Sequence, residues 1–369
     1  MKKAFLPAVI LSIIIVSMFA VFTPKVRAQA QASETVIFQD NFESYPTGPF
    51  NSVDGWKLVW GAYVGDYPAQ AIINDTYANS GNKSLESLSY NNGVGHCSSI
   101  ITKDCSTNST LIGYEAYVMT LPGGSCGVGF FNQPIALWGR FYAGVGFSDA
   151  YIWAGGQKLQ PYTAYQWYKI RLIINRSTRV FNVWVNDQLE GRGMVEPNDP
   201  WEILSLQLGT DFNHILPAYF DDVKVFTIND TTRPIISNPE QNPPDNTVNE
   251  NQNVTVATNV TDSETGVGNV TLSYGVNGTT SWVPINMTFV SGDTYQATIP
   301  AFANGTKISY RITAYDLSGN QASNDNQGNY YVYTVPEFPY LLVLFPLMVV
   351  TVTAAVMFRK KGAQHKPDL

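Results

Sequence analysis

Between residues 31 and 335 apolar positions alternate with polar ones in short runs, and clusters of Gly, Pro, Asn and Asp separate the runs. A period of two puts successive side chains on opposite faces of an extended chain, so each run predicts a strand with one buried face. Helical periodicity is nearly absent from this stretch. The clearest pair is WYKIRLIIN (167–175) and RVFNVWVN (179–186). In the first, Tyr168, Ile170, Leu172 and Ile174 share one face, with Lys169 and Arg171 opposite. Asn175 to Thr178 supply turn chemistry between the two, which predicts a hairpin. The later run AYFDDVKVF (218–226) also alternates and predicts Tyr219, Asp221, Val223 and Val225 on one face. Short strands at regular spacing predict an all-β fold of sandwich type.

The pattern changes at both ends. Residues 1–30 hold Lys2 and Lys3, an apolar run from Ala4 to about Phe22, and Ala28-Gln29-Ala30, which together predict a secretory signal peptide; an uncleaved anchor is the alternative. The run 340–358 has nineteen residues and no charge. As a helix it would span about 28 Å, close to the hydrocarbon core of a bilayer, and it predicts a C-terminal transmembrane helix. Residues 336–339 are its linker, and 359–369, with Arg359, Lys360, Lys361 and Lys366, form a basic tail. Basic flanks stay inside, so the expectation is a single-pass protein of the cell membrane with an extracellular body and a cytoplasmic tail. Within the body, the polar stretch from Asn229 to Pro234 marks a boundary, and seven of the eight tryptophans precede it. The predicted modules are 31–228 and 229–335. The joint offers little apolar surface, so each is expected to fold alone.

Charge narrows the partners. Taking away four basic residues before 31, four beyond 358, and Asp368 leaves the body with 14 basic and 28 acidic residues. That balance argues against nucleic acid as a partner. Of three cysteines, Cys97 and Cys105 are the favoured bridge in an oxidising compartment, with Cys126 paired to either as the alternative. Eleven N-x-S/T sequons occur, six of them in the second module: Asn253, Asn259, Asn269, Asn277, Asn286 and Asn304. If the secretion route transfers oligosaccharide, that module would be sugar-coated.

The segments FQDNFESYPTG (38–48), SGNKSLES (80–87), the 167–187 hairpin and AYFDDVKVF together resemble the concanavalin A-like, laminin G-type jelly roll. NVTVATNVTDSETGVGNVTLSY (253–274), YQATIP (295–300) and ISYRITAYDLSGN (308–320) resemble immunoglobulin or fibronectin type III-like modules of surface proteins. The Pro336-Glu337-Phe338-Pro339 stretch, the apolar run and the basic cluster resemble the PEF-type C-terminal anchor signal of archaeal surface proteins. The jelly-roll resemblance implies a fold shared by lectins and glycoside hydrolases. It also implies a structural Ca²⁺ between the first and last strands, with Asp40, Glu43, Asp221 and Asp222 as candidate ligands. Asp262, Glu264 and Asp316 are a second, less favoured set.

The catalytic members of that class carry carboxylates at alternate positions of one strand, which places them together in a cleft. No such run exists here, Asp221 and Asp222 are adjacent, and His96, His214 and His365 are the only histidines. The expectation is therefore that the chain is not an enzyme, with a polysaccharide-cleaving enzyme the less favoured reading. Exposed aromatic rings stack on the C–H faces of sugars, and Trp56, Trp60 and Trp153 lie in loop-rich stretches that would expose them. The resulting reading is a membrane-anchored extracellular protein that binds carbohydrate or another envelope component through its first module. The alternative is a purely structural stalk with no discrete ligand.

Overall fold

The computed structural model describes residues 32–357 except 51, 61–69, 92–95, 132–141, 198–202, 204, 211–215, 246, 279–280 and 338–347. The expected signal peptide and basic tail lie outside the described residues, as does 340–347 of the apolar run.

The chain is nearly all β. In the first module two antiparallel sheets face each other. One has, in order, Gln188–Val195, Val180–Val185, Tyr168–Asn175, Leu111–Thr120, Ala218–Asn229, Ser84–Leu88, Gln70–Asn74 and Gly48–Pro49, with Ser33–Asp40 also paired to Ala218–Asn229. The other runs Gln157–Pro161, Tyr151–Ala154, Tyr142–Ser148, Cys126–Phe131, Ser205–Thr210, Ser99–Asp104 and Trp56–Trp60. The hairpin forms as its pattern dictates. Ile170, Leu172 and Ile174 are fully buried, and the Asn175 carboxamide oxygen accepts from the backbone N–H of Ser177 and Thr178 at the turn.

The strand Ala218–Asn229 departs from strict alternation. Its register against Leu111–Thr120 slips between Asp221 and Lys224, and Asp222 sits at φ 46°. This bulge absorbs one residue, so Phe220 and Val223 both enter the core. Tyr219 and Asp221 therefore do not share a face with Val223 and Val225, contrary to the alternation. Both Asp221 and Asp222 instead hold one loop. Asp221 Oδ2 accepts from the N–H of Asn79 and Ser80 (2.8 and 3.1 Å), and Asp222 accepts from the side chains of the same two residues (2.8 and 2.7 Å).

The second module is a smaller sandwich. One sheet has Ile235–Ile236, Val254–Thr261, Thr294–Ile299 and Thr288–Ser291, with Glu240–Asn242 on Val254–Thr261. The other has Val283–Asn286, Val267–Val276, Lys307–Asp316 and Gln321–Asn324, with Tyr331–Thr334 on Lys307–Asp316. All six sequon asparagines of this module are exposed.

The joint is not bare, as the sequence suggests, but packed. Leu317, from the turn after Lys307–Asp316, is 3% exposed and belongs to a cluster with Ile173, Trp184, Phe226 and Ile228 of the first module. Asn182, on the hairpin, donates through Nδ2 to the carbonyls of Thr265 and Val267 (2.9 and 3.3 Å), and Asn175 Nδ2 donates to the Leu317 carbonyl (2.7 Å). Gly266, at φ +78°, lies so close that a Cβ there would meet Asn182 Nδ2 at 2.5 Å. Asn175 and Asn182, two polar residues of the hairpin, thus hold the second module.

At the C-terminal end, residues 348–357 form a helix whose side chains are mostly exposed. No helix among the described residues is long and apolar enough to cross a membrane. Of the expected nineteen-residue transmembrane helix, 348–357 are helical, and 340–347 and 358 lie outside the described residues.

Candidate functional site

On the outer face of the sheet that holds Cys126–Phe131, the core takes Val128, Val145, Ile152 and Leu208. Alternation then sends Gly127, Gly146, Trp153 and Gly209 to the other side. Register aligns these residues into one row across five strands. Ile100 is opposite Gly209, Gly209 opposite Gly127, Gly127 opposite Gly146, and Gly146 opposite Trp153. At about 4.8 Å between strands, the three glycines clear a strip of backbone about 10 Å wide. Ile100 borders it on one side and the Trp153 ring on the other. The strip floors a trough of about 830 Å³. Gly209 is sterically obligatory, because a Cβ there would lie 2.5 Å from the Ser99 carbonyl oxygen; at Gly146 the nearest atom would be 3.8 Å away.

Trp153 is half-buried and held in place. Its indole N–H donates to the Ser148 carbonyl (3.1 Å), and the Lys158 ammonium lies 5.2 Å from its ring and 4.1 Å from that of Tyr151. Among the described residues the polar lining comes from Ser98, Ser125 and Glu196, with no Lys or Arg; the Thr210 hydroxyl faces the sandwich interior, 2.6 Å from Ser89 Oγ. Glu196 is buried and accepts from the Ala143 N–H (2.9 Å). A flat backbone floor, one ring wall and scattered hydroxyls can hold a flat polar ligand.

The other two tryptophan candidates fare differently. Trp56 is 1% exposed. The strand Trp56–Trp60 turns it inward among Phe38, Phe42 and Phe50, and its indole N–H donates to Asp40 (2.7 Å). It is a core residue and the expectation of an exposed ring is corrected. Trp60 ends that strand, and its side chain lies outside the described residues. The glycine row was missed at the sequence level, because its members stand on three separate strands.

The calcium set does not assemble. Asp40 accepts from Tyr45 Oη (2.7 Å), from Trp56 Nε1 and from the Phe42 N–H (2.9 Å). Glu43 Oε1 accepts from the N–H of Asn82 and Lys83 (2.7 and 2.6 Å). With Asp221 and Asp222 bound to the Asn79–Ser80 loop, all four acids tie loops to strands. Among the described residues the carboxylates that do converge are Asp230, Asp262 and Asp316, with ligand oxygens within 4.8 Å of one another. Asp262 and Asp316 belong to the less favoured set. Asp230, at the module joint, replaces Glu264, which instead accepts from the hydroxyls of Thr232 (3.1 Å) and Ser263 (2.7 Å). Asp230 and Asp316 are buried, and Asp262 Oδ2 is buried with no hydrogen-bond partner. Burial, then the charges of Asp230 and Asp316, push the Asp262 carboxyl up to about 6, against hydrogen bonds from the N–H of Thr265 and Gly266. These hard oxygens fit a cation such as Ca²⁺, which needs six to eight of them.

The expected Cys97–Cys105 bridge is also corrected. Cys105 and Cys126 are free and buried, each turned into the core, where burial pushes their thiols well above the ordinary range. The Cys97 side chain lies outside the described residues.

No protein-family model matches the sequence, and no curated protein matches it. Among solved structures the chain is similar to a sialidase, at 11% identity over 53% of this chain and 19% of that one, with a TM-score of 0.39. It is similar to an endo-β-1,4-glucuronan lyase from the fungus Trichoderma reesei, at 12% identity over 52% and 96% of the two chains, with a TM-score of 0.39. A xylan-binding domain from Paenibacillus barcinonensis matches at 10% identity over 54% and 98%, with a TM-score of 0.29. The chain spans about a fifth of the sialidase. Enzymes stand among these neighbours, which overturns the expectation that the chain is not an enzyme. At such scores the likeness assigns no activity, substrate or ligand.

Proposed function

We propose that the first sandwich binds carbohydrate in the glycine-floored trough beside Trp153, on a protein displayed outside the cell. The observation that carries this is the in-register row of Gly209, Gly127, Gly146 and Trp153. A pyranose has one flat C–H face and a rim of hydroxyls. An indole face accommodates the first, and a floor with no side chains lets the ring approach while the flanking serine hydroxyls of Ser98 and Ser125 meet the second. A site this shallow supports dissociation constants of about 10 μM to 1 mM, since association entropy offsets most of the contact energy. Display outside the cell is supported by the exposed sequons of the second module and the acidic balance of the body.

The test is a printed array of microbial, plant and animal glycans, followed by calorimetric titration of the best binder. Gly146→Phe puts a side chain into the trough at a position where a Cβ is tolerated, and Trp153→Ala removes the ring wall. Both are expected to abolish binding with circular dichroism unchanged. Retention of wild-type affinity by both variants, or no binding to any array glycan, overturns the proposal.

A further inference from the structure

The strand Ser205–Thr210 supplies Gly209 to the trough floor. Gln207 and Ser205 are its next two residues on the same face, at about 6.7 Å intervals. Both side chains are 1% exposed, and Gln207 Nε2 and Ser205 Oγ have no hydrogen-bond partner. A buried polar group without a partner loses its hydrogen bonds to water and gains none in return, and native proteins carry few of them. Two on one strand, on one face, in line with the floor of a trough, call for a common explanation.

We infer that Gln207 and Ser205 are the hydrogen-bonding determinants of the trough and that they take a neutral, hydroxyl-bearing glycan. This rests on the carbohydrate reading above. An amide N–H needs an acceptor, and a serine hydroxyl can give or take a hydrogen bond, so sugar hydroxyls satisfy both. A carboxylated or sulfated sugar is disfavoured: among the described residues no cationic side chain lines the trough, the Lys158 ammonium being engaged with the Tyr151 and Trp153 rings, and Glu196 adds an acid to the lining. Gln207 is sealed in the free protein but has three side-chain torsions, and the neighbouring position along its strand, Gly209, has no side chain to block a swing into the trough. Its other neighbours in the sheet are Gly129, which also presents no side chain, and Thr102. The protein carries the unpaired groups in the free state, and the ligand supplies their partners.

This assignment makes opposite predictions for folding and binding. Replacing an unpaired buried amide by an apolar side chain of similar shape is neutral or stabilising. Gln207→Leu in the full chain is therefore expected to melt at or above the wild-type temperature while losing about tenfold or more in affinity for the best-bound neutral array glycan, the equivalent of one good hydrogen bond in a desolvated site. Ser205→Ala should lose about threefold or more without destabilisation. Three outcomes overturn the inference. Gln207→Leu could bind within about twofold of wild type; it could lower the melting temperature as a structural amide would; or the best-bound array glycans could all be anionic. If Gly146→Phe abolishes binding while Gln207→Leu does not affect it, the trough reading stands and this inference alone falls. If the wild type binds nothing on the array, both fall together.

Discussion

Lowering the pH from about 7.5 to about 5 should stabilise this protein, and Asp221 should account for a defined part of the gain. Its side chain is fully buried. Burial pushes the carboxyl up to about 6, and the Asp222 charge adds to this, against hydrogen bonds from the N–H groups of Ser80, Asn79 and Asp222. The ordinary value is 3.8. Between the two values the folded state binds more protons than the unfolded chain, so stability falls as pH rises through that window. The contribution is complete below about pH 4 and lost above about pH 6. A gap of about two units corresponds to about 3 kcal/mol over the whole window, of which about 1.5 kcal/mol lies between pH 5 and 7.5. For a body of this size unfolding in one transition that is about 2–3 °C in Tm. Glu34 works in the other direction: burial raises it, but Lys224 and Arg171 outweigh burial and hold it below its ordinary value, so its share is lost as pH falls below about 4.5. The assay is a series of thermal melts at constant ionic strength for wild type and Asp221→Asn. The variant loses absolute stability, because its amide N–H would face the Asp222 N–H that Asp221 Oδ1 now accepts (2.8 Å). Only the slope is diagnostic, since Glu86, Asp262 and Asp316 are raised as well and remain. Equal slopes for wild type and variant would refute the reasoning.

The packed joint predicts that Leu317→Ala, which hollows the cluster around Trp184 and Phe226, lowers stability by about 2–4 kcal/mol. Calorimetry should show one transition of the whole body moving down; two transitions, one of them unmoved, would mean the modules fold separately. At the Asp230–Asp262–Asp316 cluster, millimolar Ca²⁺ should raise the wild-type Tm and EDTA should reverse it. Asp262→Asn removes a charge from the cluster and should respond little to either. A wild-type Tm indifferent to Ca²⁺ would assign the cluster to protons and hydrogen bonds alone.

Period-two alternation sufficed for the sandwich, because burial of one face is a local property of each strand: the hairpin of Tyr168–Asn175 and Val180–Val185 follows from it directly. It failed at Asp221–Asp222, where one residue at positive φ reverses which side chains face inward. It also failed at the joint, where Asn175 and Asn182 look like surface residues until Leu317, Thr265 and Val267 are brought against them. Trp56 shows the same limit. A tryptophan in a loop-rich stretch reads as exposed, but Asp40, sixteen residues earlier, takes its N–H and closes it into the core.

The trough was hidden for a different reason. A binding surface is usually sought in the residues that protrude, and the sequence duly offers its tryptophans. Here the decisive residues are those that present nothing. Gly127, Gly146 and Gly209 lie on three separate strands, and each alone is an ordinary glycine in a strand. They become a floor only because two registers put them side by side, and register is fixed by the packing of the whole sheet. The same alignment gives Gln207 its meaning: a lone glutamine in an alternating run reads as solvent-facing, whereas one buried without a partner beside a cleared strip of backbone is a donor held for something the protein does not itself contain.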